Sequence, residues 1–83
     1  MTEFTIMGNY KGKEERFHEF YIEEGRNEYT VHVTKTSTLL NDLDTIAVGT
    51  RIKVNGIVMQ DAENRNILVC NKATVVLGND STR

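Results

Sequence analysis

The stretch TSTLLNDLDTI, residues 36–46, decides the fold, because it alone breaks the rhythm of the chain. Leu39, Leu40, Leu43 and Ile46 recur at helical spacing, while Asn41, Asp42 and Asp44 occupy the remaining face. Thr36 or Ser37 can accept a hydrogen bond from the first free backbone amides and so cap a helix. Ala47-Val48-Gly49 stops it, since Gly49 can take the positive φ of a helix terminus. A helix of about ten residues draws its stability from packing and not from its own propensity. The leucines therefore need an apolar surface to cover.

On both sides of this stretch the chain alternates with a period of two. Phe4 and Ile6 open the pattern, which Gly8-Asn9 and Lys11-Gly12 then interrupt. In the next run His18, Phe20 and Ile22 face one way, and Phe17, Glu19 and Tyr21 the other. Residues 23–27, EEGRN, form a polar turn around Gly25. Tyr29, Val31 and Val33 then alternate with Thr30, His32 and Thr34. Beyond the helix, Ile52, Val54 and Val58 share one face of a strand over Arg51–Met59. Gly56 falls in phase between them, as at a bend, a bulge or a close approach of another backbone. A polar loop over 60–66 leads to a last strand, Ile67–Leu77, apolar on both faces except at Asn71, Lys72 and Thr74. The element order is β-β-β-α-β-β.

Eighty-three residues hold one small core, and the chain reads as a single domain over residues 1–78 with a frayed polar tail over 79–83. Five strands with one apolar face cannot be covered by a single short helix. Closing the sheet into a cylinder buries that face and removes exposed strand edges, with the helix plugging one mouth. The fold class is therefore all-β, a small five-stranded barrel with one capping helix. Ten basic and twelve acidic residues give a net charge of −2, which argues against binding driven by charge alone. No apolar run approaches the ~20 residues of a membrane-spanning helix, and no secretory leader opens the chain, so a soluble, cytoplasmic protein with no membrane partner is expected. Cys70 stands alone, which rules out an intrachain disulfide and a cysteine-rich zinc site.

The segment AVGTRIKVNGIV, residues 47–58, resembles the "VGxxIxVxGxV" fourth strand of oligonucleotide/oligosaccharide-binding (OB) domains, frequent in the replication-protein-A-like and tRNA-anticodon-binding-like groups. NILVCNKATVV, residues 66–76, is similar to their closing strand. The resemblance implies a five-stranded OB-like Greek-key barrel with its helix between the third and fourth strands. It also implies binding through the outer face of strands two and three and through the loops after strands one and four, where aromatics stack on bases and sparse cations follow the backbone. On this chain the implied nucleic-acid set is Tyr10, Lys11, Lys13 and Arg16 in or beside the first loop, Phe17, Tyr21 and His32 on the outer face, and Arg65 in the later loop. Glu14, Glu15, Glu19, Glu23, Glu24 and Glu28 lie among them and oppose a polyanion.

Arg51, Lys53, Ile57 and Met59 alternate away from the fourth-strand core positions and make a mixed basic and apolar stripe, a candidate protein-docking face unless the N-terminus or the helix covers it. His18 and His32 have no third ligand at a recognisable spacing, so no metal site is assigned. Cys70 reads as a small buried hydrophobe. No phosphate loop, nucleophile elbow or carboxylate pair points to catalysis, and no cofactor is implied. Two functions remain. One is a module that binds single-stranded nucleic acid. The other is an acidic adaptor or inhibitor that binds a protein partner and no nucleic acid.

Overall fold

In a computed structural model, which describes residues 2–76, the strands close into a five-stranded barrel. The elements are β1 (Thr2–Glu14), a 3-10 turn (Glu15–Phe17), β2 (Glu19–Glu24), β3 (Asn27–His32), α1 (Leu39–Asp42) with a 3-10 continuation (Leu43–Thr45), β4 (Arg51–Gln60) and β5 (Asn66–Val75). Around the barrel the order is β1-β2-β3-β5-β4, and β4 pairs back onto β1. Every seam is antiparallel except β3–β5, which is parallel. The expected tail over residues 79–83 lies outside the described residues.

The period-two reading holds over β2, β3 and the start of β4, where alternate residues are buried, whereas β5 buries the consecutive pair Val69 and Cys70. Phe20, Ile22, Val31, Ile52 and Val54 are fully buried, and Ile6 and Val33 join them. Cys70 also belongs to this core, and burial pushes its thiol up to about 11. The seven residues over 8–14 depart from the expectation. Gly8 and Gly12 do not end the first strand. β1 runs for thirteen residues and changes partner at Asn9, pairing with β4 over Thr2–Asn9 and with β2 over Asn9–Glu14. A Cβ at Gly8 would collide with the carbonyl oxygen of Glu23, so glycine is what lets the two strands meet there. A bulge between Tyr10 and Gly12 then shifts the register by one residue.

The helical segment is shorter and more broken than its spacing predicts. One turn of α-helix passes directly into a 3-10 turn, and Ser37 Oγ accepts from the Leu39 amide at 3.1 Å. Leu40 and Leu43 are buried in the core cluster beside Tyr10, Phe20 and Val33, with Leu39 and Ile46 packed against it. The segment stoppers the barrel, and packing is what holds it. Gly49 does take a positive φ (101°), but in the turn into β4, where its amide donates to the Tyr10 carbonyl at 2.7 Å.

Gly56 marks the tightest passage. A Cβ there would collide with the Val69 carbonyl oxygen and stand 2.8 Å from Cε1 of Phe4, at the point where the β4–β5 register shifts. Gly56→Ala is therefore expected to cost about 3 kcal/mol or more, since backbone has to move. Leu43→Ala, which empties the stopper, is expected to cost about 2–5 kcal/mol. Urea unfolding midpoints followed by circular dichroism measure both, and a change below about 1 kcal/mol at Gly56 would contradict the close approach.

Candidate functional site

Register now separates the barrel surface into two faces of opposite character. On β2 and β3 the outward pairs are Glu19 with His32, Tyr21 with Thr30, and Glu23 with Glu28. This face carries three carboxylates and no lysine or arginine. Glu14 adds a fourth carboxylate opposite Glu19. On the other side β1, β4 and β5 present Thr5, Asn55 and Lys72 in one row, Met7, Lys53 and Thr74 in the next, and Asn9 with Arg51 in a third. No carboxylate belongs to these strand positions.

Tyr10 is not in a loop and does not reach the surface. It is 3% exposed, because β1 continues past it and its even-numbered positions face inward. Its ring centroid lies 6.4 Å from that of Phe20, and burial raises its hydroxyl pKa. Tyr10 is a core residue. Lys13 also leaves the expected set. Its side chain is 16% exposed, and its ammonium bonds Asp44, stands 2.5 Å from Glu15 Oε2 and donates to the Leu40 carbonyl at 3.1 Å. The hydrogen bond to Asp44, then that to Glu15, raises its pKa and holds it charged. Lys13 thus ties β1 to the stopper and has no free valence for a phosphate.

Lys11 is exposed, on β1 beside the bulge and not in a loop. Arg16 does sit in the first connection, in the 3-10 turn, and Phe17 sits there too and not on the outer face of β2, because that strand begins only at Glu19. Phe17 is 58% exposed, and the Arg16 guanidinium lies 5.7 Å from its ring centre. Tyr21 is half-buried on the outer face. Burial raises its pKa first, then the negative charges of Glu19, Glu14 and Glu28. The ring on this face that is best placed to stack on a base is thus surrounded by repulsive charge.

His32 and Arg65, separated by thirty-three positions, are brought to one open cleft of about 360 Å³, where β3 and β5 diverge beyond the pair Val31–Leu68. Glu19, Asp61 and Ile67 also line it. Arg65 is not free within the cleft. Its Nε donates to Asp61 Oδ2 and its Nη2 to Glu63 Oε2, both at 3.0 Å. Asp61 Oδ1 meanwhile accepts from the Glu63 and Arg65 amides, so the loop after β4 is built around that carboxylate. His18 closes the 3-10 turn in a left-handed conformation (φ 53°), and its carbonyl accepts from the Val33 amide at 2.8 Å, next to His32 in the chain. Among the described residues no three His, Cys, Asp or Glu side chains cluster as metal ligands would.

The four docking candidates fall into two groups. Arg51 and Lys53 are exposed in the carboxylate-free rows. Ile57 pairs with Val69, and Met59 with Ile67, further along β4 and β5. Met59 is 47% exposed. Val69 is buried at 8% exposure and Ile57 and Ile67 are half-buried, so of these four side chains only Met59 stands well out. Lys72, on β5 diagonally across from Lys53, completes the basic group and was missed because Asn71 and Lys72 interrupt an apolar run.

No family model matches the sequence, and no curated protein matches it. Solved structures do share its fold. Crystal structures of the mitochondrial single-stranded DNA binding protein Rim1 from S. cerevisiae align over nearly the whole barrel. One (Form1) gives a TM-score of 0.70 at 16% identity, covering 96% of this chain and 98% of that one. A selenomethionine-labelled structure (Form2) gives 0.73 at 17% identity, covering 90% and 93%. The chain is an OB-fold barrel.

The Asp61 carboxyl is held below its usual value, chiefly by the Arg65 amide, then by the Glu63 amide and the Arg65 side chain. A lowered folded pKa means that loop order is complete above the ordinary aspartate value of 3.8 and is lost as pH falls through the lower folded one. Amide exchange protection at Glu63 and Arg65 should therefore persist at about pH 4.5 and disappear below the ordinary aspartate range, whereas Asp61→Ala should lose it at neutral pH. Unchanged protection in that variant would show that the loop does not depend on the carboxylate.

Proposed function

We propose that this chain is a small OB module that binds single-stranded nucleic acid without enzymatic activity. The observation that carries the reading is end-to-end correspondence of its barrel with proteins described as single-stranded DNA binding, with almost nothing left over on either chain. Function taken from a fold is an association, so the surface has to be consistent with it. Lys11, Arg51, Lys53 and Lys72 are exposed, and none of them has a carboxylate partner within salt-bridge distance among the described residues. With a net charge of −2 for the whole chain, binding should be modest and steeply salt-dependent.

A second reading rests on Glu14, Glu19, Glu23 and Glu28, which make the β2–β3 face a poor approach for phosphate and a good one for a basic protein. On that reading the chain is an acidic adaptor that binds a protein partner and no nucleic acid.

Fluorescence anisotropy with a labelled oligothymidylate at low salt separates the two. Saturable binding that weakens as salt is added supports the nucleic-acid reading. Absence of binding at tens of micromolar protein, together with stoichiometric recovery of a basic protein from the native host, supports the adaptor.

A further inference from the structure

From the distribution of charge around the closed barrel, we propose that the phosphodiester backbone of a single strand crosses the outer face of β1, β4 and β5, and not the β2–β3 face. The inference rests on the nucleic-acid reading above and gives it a path.

Four cations stand in succession along this face. Lys72 is in the row of Thr5 and Asn55, Lys53 in the row of Met7 and Thr74, Arg51 beside Asn9, and Lys11 follows at the β1 bulge. Alternate residues of a strand are about 6.7 Å apart, so the four rows span roughly 20 Å, enough for several nucleotides. All four side chains are exposed. Asn55 Nδ2 donates to Thr5 Oγ1 at 2.9 Å, which keeps the polar side chains between the cations ordered. Met7, 36% exposed beside Lys53, offers an apolar surface to a base.

Carboxylates bound the stripe without entering it. Glu3 lies one row beyond Thr5, opposite Ile57, and Glu23 lies one strand beyond Asn9. On the β2–β3 face the arrangement is reversed. Glu19, Glu23 and Glu28 surround Tyr21, and the one arginine of the adjoining cleft, Arg65, is already bonded to Asp61 and Glu63. Each cation that neutralises a phosphate releases a counterion, whereas a phosphate placed between carboxylates gains no such release. The strand is therefore drawn to the stripe.

The test uses salt-dependent anisotropy with labelled oligothymidylate on three proteins: the parent chain, a triple variant Arg51→Gln/Lys53→Gln/Lys72→Gln, and a double variant Tyr21→Ala/His32→Ala. Exposed Lys and Arg positions tolerate glutamine, and the thermal unfolding midpoint checks that each variant is folded. The triple variant should bind at least about tenfold more weakly at low salt, and its log–log salt slope should fall by about 2, near 0.7 for each cation lost. The double variant should keep the parent slope. If the triple variant keeps both slope and affinity while the double variant loses affinity, the strand runs over β2–β3, and this inference fails while the proposed function stands. If the parent chain does not bind, both fall together.

Discussion

Closure of the barrel depends on one short seam. β3 and β5 pair at two positions only, Val31 with Leu68 and His32 with Val69, and in parallel, whereas the other four seams are antiparallel and longer. Two parallel pairs contribute little by themselves, so the seam is held by what lies behind it. Val31 is fully buried, and Leu68 packs against the core. Below the seam the leucines of the helical segment take over where strand pairing stops, and Lys13 fixes that segment by bonding Asp44 and the Leu40 carbonyl. On its other side the pairing stops short of Thr30 and Ile67, and the open cleft lined by these residues, His32 and Arg65 lies there.

The same closure creates the division of charge. In a cylinder filled by its own side chains every strand has an outside, and neighbouring strands decide what each outside means. Glutamates at alternate positions of the β2–β3 hairpin add their fields because the hairpin sets Glu23 directly against Glu28. Lys53 and Lys72 reinforce one another because the β4–β5 register places them in adjacent rows. A near-neutral chain thereby acquires a positive flank and a negative flank. Net charge averages the two and conceals both.

How much of this is legible from residue order follows from whether a signal is local. The inward set Phe20, Ile22, Val31, Val33, Ile52 and Val54 follows from alternation alone, and each is buried. Gly56 announces itself as a glycine in phase with that set. Tyr10 does not, because Gly8 and Gly12 flank it like loop punctuation, while in the barrel one relieves a clash with β2 and the other follows a bulge. The fate of Lys13 is set by Asp44, which no pattern in the chain links to it. The helical spacing over residues 36–46 marks which leucines turn inward but not where α-helix yields to a 3-10 turn, since packing against the barrel mouth decides that. The basic stripe is the least legible feature, being drawn from three strands and visible only once their registers are aligned.

The β1–β4 seam has a consequence for how the chain comes into being. Thr2 pairs with Val58 and Asn9 with Arg51, so during synthesis β1 waits for roughly fifty further residues before its partner exists. At ordinary elongation rates that is several seconds during which Phe4 and Ile6 have nothing to cover them. The β2–β3 hairpin, made of neighbours, can form meanwhile and engage only the far end of β1. Pairing at such sequence separation slows closure, since the intervening loop has to be ordered before the β1–β4 contacts reward it.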